Sequence, residues 1–275
     1  MKKRRRLMHQ TKAFNYSVPY YAWLLLFVIA PVILLLFESF MDVHGNFTLN
    51  NYQTYFSSGT YIRMTFNSVF FAFMVTVITL AISYPMALIM SRLKHAQFWL
   101  MLVILPTWVN LLLKAYAFIG LFAKQGTLNE FLTFVGIGPQ QIMFTDGAFM
   151  AVAAYVQIPF MIMPIFNSLI EIDQSLVNAA RDLGASSAQT LRKVIIPLSM
   201  NGVRTGVQAV FIPTLSLFMI TRLIGGNRVI TLGTAIEEHF LVTQNWGMGS
   251  TIGIILIIAM AITMYLTRDR KQGGK

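Results

Sequence analysis

The run Pro106-Thr107-Trp108-Val109-Asn110-Leu111-Leu112-Leu113-Lys114-Ala115-Tyr116 places an indole, an amide, an ammonium and a phenol in an otherwise apolar stretch. An aromatic face attracts an organic cation, and an amide adds a hydrogen-bond acceptor. Tyr155, Gln157 and Asn167 repeat those group types farther along the chain. Trp108, Asn110, Tyr116, Tyr155, Gln157 and Asn167 are therefore the groups in apolar stretches that could meet a polar or charged molecule. Taken singly, each aromatic also reads as core or interface packing. Lys114 points the other way. A lysine is costly in lipid, so its ammonium faces protein, water or the interface, and on a path it would repel a polycation. With Arg222 it would favour an anion instead.

No group in the chain is set up to make or break bonds. There is no Walker A pattern for ATP, no pair of carboxylates and no Ser/His arrangement at membrane depth. Cysteine is absent, and His9, His44, His95 and His239 are dispersed. No catalytic residue, metal site or cofactor is expected. A membrane enzyme thus lacks its chemistry. A secondary transporter lacks the intramembrane acids of a proton relay.

The elements that position these residues are membrane helices. Of 275 residues, 56% are hydrophobic and 11% charged, with mean hydropathy +0.64. A water-soluble domain carries about 25% charged residues. An all-α polytopic membrane protein with six spans is expected, over residues 21–40, 66–91, 98–123, 148–170, 203–223 and 250–267. Each is near the ~20 residues that cross a bilayer. The first span follows a basic head but is too long for a signal peptide and has no A-x-A-like cleavage site, so it reads as retained. Pro31, Pro85, Pro106, Pro159, Pro164 and Pro213 interrupt the spans, and the central helices should bend around a passage. The expected division is a basic head (1–20), a membrane domain (21–267) containing a polar loop (171–206), and a tail (268–275).

The net charge of +11 invites a nucleic-acid reading, but its distribution follows the membrane instead. One side receives Lys2, Lys3, Arg4, Arg5, Arg6, Lys12, Arg92, Lys94, Arg181, Arg192, Lys193, Arg204, Arg268, Arg270, Lys271 and Lys275. The other receives Arg63, Lys124 and Arg228. The positive-inside rule puts both ends and the 171–206 loop in the cytoplasm. The outer loops carry Asp42, Glu130, Asp146, Glu237 and Glu238 beside Tyr52, Tyr55, Tyr61 and Trp246. They suit either a soluble partner or an ordinary aromatic belt.

The 171–206 loop has its own pattern. Leu176, Val177, Ala179, Ala180 and Leu183 recur at helical spacing, with Asn178, Arg181 and Asp182 on the other face. Ser175 is the expected N-cap and Gly184 the C′ stop. A second helix, capped by Ser186 or Ser187, is expected to end at Pro197.

Ala179-Ala180, then Gly184, then Ile195-Ile196-Pro197 resembles the "EAA loop" of bacterial ABC importer permeases, with Asn178 at the family's Glu position. The order P-x-W-x-N-x-L-x-K-x-Y from Pro106 to Tyr116 is similar to a segment of the polyamine-type permeases, with Lys114 in place of the usual Arg. The likeness continues through Leu183-Gly184-Ala185-Ser186, Leu223-Ile224-Gly225-Gly226 and Asn245-Trp246. It implies half of a polyamine path in the bacterial cytoplasmic membrane, in contact with lipid and without nucleic acid, with Trp108, Asn110, Tyr116, Tyr155, Gln157 and Asn167 as the candidate substrate path. Anion- and iron-type importers share much of the loop and remain the alternative. It also implies a second homologous permease, a dimer of ATPase subunits that hydrolyse the ATP, and an extracytoplasmic substrate-binding protein. Asn178, Ala179, Ala180, Arg181, Asp182 and Gly184 would carry the coupling to the ATPase.

Overall fold

The structure, a computed structural model, describes residues 18–267. Residues 1–17 of the basic head and the 268–275 tail, which hold ten of the sixteen basic residues assigned to the cytoplasmic side, lie outside the described residues. Among these the chain is helical, apart from loops and one isolated bridge between Met41 and Phe47.

Helix α1 (Val18–Glu38) is apolar and buries none of its side chains within the chain. It packs against the last helix. A short α2 (Asn50–Ser57) leads into α3 (Gly59–Met90), whose 32 residues make it the longest element. The expected third span is not one helix. It divides into α4 (Ala96–Trp108) and a segment beginning with α5 (Leu111–Phe122) and α6 (Thr127–Phe134), bent by 89°. Pro106 tightens the end of α4 into a 3-10 turn, and Val109 is extended. Asn110 then restarts the chain by capping α5, its Oδ1 accepting from the Leu112 N–H at 2.8 Å.

Helix α7 (Asp146–Ile170) crosses unbroken despite Pro159 and Pro164. The two polar-loop helices follow, α8 (Gln174–Asp182) and α9 (Ser187–Leu215). Ser186 caps α9 in a reciprocal box with Gln189. Contrary to expectation, α9 does not stop at Pro197. An α-helical proline ring collides with the carbonyl four residues back. Here that carbonyl, of Lys193, lies in a π turn over Leu191–Ile195, and the Ile196 N–H reaches back to Leu191. The loop helix and the fifth span are therefore one rod. Pro31 in α1 follows the same kind of turn, at Leu25–Ile29. The fifth span also breaks, bending 54° between α9 and α10 (Phe218–Gly225). A short α11 (Leu232–Glu237) and α12 (Trp246–Thr267) complete the chain.

The core is formed where α3, α7 and α9 pack together, around Val75, Phe149, Met161, Ile162, Ile165 and Val210. Small residues permit the approach. A Cβ on Gly202 would stand 2.4 Å from the Pro164 carbonyl oxygen, and one on Gly206 2.7 Å from Met161 Sδ. Tyr84 and Ser199 hydroxyls meet at 2.9 Å between α3 and α9.

Candidate functional site

The break after α4 organises the membrane-embedded candidates. Because the chain turns back there, Pro106, Lys114 and Tyr155 come to line the same two adjoining cavities, of about 440 and 240 Å³. Apolar groups complete the larger wall, with Phe118 meeting the Tyr155 ring edge-on at 5.1 Å. Lys114 is half-buried. Trp108 and Tyr116 lie outside both cavities, and Trp108 is 78% exposed at the tip of the break. Asn110 serves the cap. Gln157 is buried and donates from Nε2 to Thr214 Oγ1 at 3.2 Å, bridging α7 and α9. Asn167 is exposed near the end of α7 that leads to α8. The six path candidates are thus not one constellation. Tyr155 alone lines a cavity beside Lys114.

The polar loop is compact. Its first helix starts earlier than expected, since the N-cap is Asp173, whose carboxylate accepts from the Ser175 N–H at 2.9 Å. A carboxylate is the stronger acceptor at a helix N-terminus, so Ser175 falls inside the first turn. That hydrogen bond holds the Asp173 pKa below its usual value. At the other end Gly184 has φ +79°. Its N–H bonds the Arg181 carbonyl at 2.8 Å and the Ala185 N–H bonds that of Ala180 at 3.0 Å, which is a Schellman stop. Val177 is buried and fixes α8 to the bundle. Leu176 faces away, Leu183 is 89% exposed, and Asn178, Ala179, Arg181 and Asp182 are exposed too.

At the opposite end of the bundle a third cavity, of about 320 Å³, lies between the start of α3, α10 and α11. Arg222 Nη1 donates to Glu237 Oε1 at 2.9 Å across it. The Tyr61 hydroxyl meets His239 Nε2 at 2.9 Å, and Glu238 stands beside them. Burial pushes the His239 imidazole below its usual pKa, against the opposing pull of Glu238. Sequence reasoning put Tyr61, Glu237 and Glu238 in outer loops without joining them. The run Glu237-Glu238-His239, in a chain with only ten acids, was the available signal.

No protein-family model matches the chain. The spermidine/putrescine transport system permease protein PotB of Haemophilus influenzae is 35% identical over 256 residues, covering 90% of this chain and 89% of its own. PotB of Escherichia coli (strain K12) is 35% identical over 252 residues, covering 88% and 91%. The inner membrane ABC transporter permease protein YdcU of the same organism is 30% identical, covering 86% and 80%. Among solved structures, a bacterial ABC transporter involved in import of the acidic polysaccharide alginate superposes with a TM-score of 0.79. That match covers 98% of this chain and all of the other at 14% identity, a likeness of fold. With helices among the described residues long and apolar enough for four to six spans, and relatives matched over some nine-tenths of both chains, the chain belongs to the family of ABC-transporter permeases typified by the spermidine/putrescine system permeases.

Proposed function

We propose that this chain forms half of the translocation path of an ATP-driven importer for polyamines of the spermidine/putrescine class. The observation that carries the reading is 35% identity to permeases named for those substrates, sustained over some nine-tenths of both chains. A second homologous permease supplies the other half, and ATPase subunits, not this chain, hydrolyse ATP. The exposed face of α8, with Leu176, Ala179, Arg181 and Leu183 around the Gly184 stop, is the surface offered to the ATPase. Closure of the ATPases moves α8. Since α9 continues unbroken from the loop into the core, that movement is delivered directly to the helices around Gln157 and Tyr155. The polar loop is cytoplasmic in this reading, and an extracytoplasmic binding protein delivers substrate to the opposite end. The resident charge of Lys114 in its cavity favours an anion importer as the second reading.

The deciding experiment reconstitutes the chain with its cognate subunits and binding protein in vesicles and follows ATP-dependent uptake of labelled spermidine, putrescine and sulfate. Uptake of a polyamine, competed by unlabelled polyamine and indifferent to sulfate, is expected. Sulfate uptake without polyamine uptake overturns the reading.

A further inference from the structure

The cavity at the far end of the bundle combines charged groups and a tyrosine ring with an apolar wall. Its charged groups are Arg222, Glu237 and Glu238. Arg222 is committed to Glu237 by the 2.9 Å contact, and Glu238 makes no salt bridge among the described residues. The lining therefore sets two carboxylates against one guanidinium. The Tyr61 ring is held in place from two sides. It stacks on the Tyr55 ring at 5.5 Å with the planes 16° apart, and its hydroxyl meets His239. Thr243 Oγ1 lies 3.3 Å from the other imidazole nitrogen, Nδ1. The remaining wall includes Met64, Val229 and Ile230, which are apolar.

We propose that this cavity is a recognition subsite for the terminal ammonium of a linear aliphatic amine, resting on the reading of the chain as a polyamine permease. The Glu238 carboxylate accepts from the ammonium N–H groups, the Tyr61 ring offers its face, and the methylenes lie along Met64, Val229 and Ile230. An anion would meet two carboxylates with the one guanidinium already engaged. A hard metal cation needs six or more oxygen ligands and has no use for an apolar wall. A water molecule occupies about 30 Å³ of liquid, so the space holds roughly ten of them, enough for a four-carbon diamine. The position fits capture as well. Tyr61 lies in the first turn of α3, whereas the other end of that helix abuts α8, so the cavity opens on the face opposite the coupling loop.

The test is titration calorimetry of putrescine and of spermidine into the assembled complex without ATP or the binding protein. Wild type is expected to bind. Glu238→Gln, an isosteric change at an exposed position, is expected to weaken binding about tenfold, the usual scale of a charged hydrogen bond. Glu238→Asp should retain part of the affinity, and Tyr61→Leu should lose it at unchanged complex yield. Wild-type affinity in Glu238→Gln, or no binding by wild type, overturns the subsite. Vesicle uptake separates this from the parent reading. A complex that binds putrescine through Glu238 but imports no polyamine sinks the transport function alone. One that imports polyamine yet ignores Glu238→Gln sinks the subsite alone.

Discussion

Gln157 Nε2 donates to Thr214 Oγ1 at 3.2 Å, and Thr214 in turn donates to the Val210 carbonyl at 2.6 Å, tying α7 to α9 inside the core. Both side chains are buried. A net hydrogen bond of this kind contributes about 0.5–1.5 kcal/mol. Gln157→Leu is expected to lower the melting temperature of the purified complex by a few degrees and leave the choice among polyamines unchanged. Altered selectivity at an unchanged melting temperature would instead put Gln157 in contact with substrate.

Trp108 ends α4 where the chain turns by 89°, with most of its indole exposed. If that face meets a cationic amine, the attraction is worth roughly 0.5–2 kcal/mol. Trp108→Ala should reduce polyamine uptake severalfold at unchanged protein level, and Trp108→Phe should keep part of it. Trp246, whose ring meets Phe240 edge-on at 5.6 Å, is the internal control and should tolerate Phe. A Trp108→Ala protein that is merely less abundant would assign the residue to packing, within this chain or against its partner.

Gly184 has open space around its missing Cβ, so the only objection to a side chain there is backbone conformation. At φ +79° an L-residue is strained by roughly 1–2 kcal/mol, more for a β-branched one. Gly184→Val is expected to leave the spans inserted while uncoupling ATP hydrolysis from uptake. Hydrolysis and uptake measured together decide it, and full coupling in the variant would reduce the loop to a connector.

Gly202 presents the opposite case, an ordinary backbone with no room. An added Cβ faces the Pro164 carbonyl at 2.4 Å and Ser168 at 2.6 Å. Gly202→Ala must part α7 from α9, and overpacking of this sort costs about 1–3 kcal/mol. A clear fall in thermal stability is expected, against little change in Gly253→Ala, where nothing lies within 4 Å.

The spans were legible because lipid-facing helices advertise themselves by composition. Residues 148–170 and 250–267 fall within α7 and α12. The two breaks were hidden because a hydropathy window averages over many residues, and the one polar residue at the first corner, Asn110, is outweighed by its apolar neighbours. Pro197 misled in the other direction. A proline normally stops an α-helix, and only the π turn before it shows how the rod continues. Gly184 was readable as a left-handed stop, since the local chain alone demands it. Ser175 lost the cap to Asp173 on acceptor strength, two residues earlier. The Tyr61–His239 pair, 178 residues apart, rests on packing that no local pattern encodes.

Helix α3 is 32 residues long, which is about 48 Å, while the hydrocarbon of a bilayer is about 30 Å thick. It therefore protrudes or leans, and it joins the Tyr61 cavity to the Arg92 end beneath α8 through one continuous piece. A beam of this length acts as a seesaw. Rocking about its midpoint by about 10° carries each tip roughly 4 Å, in opposite directions. Leverage between the two faces of the membrane is thus inherent in the length of a single helix.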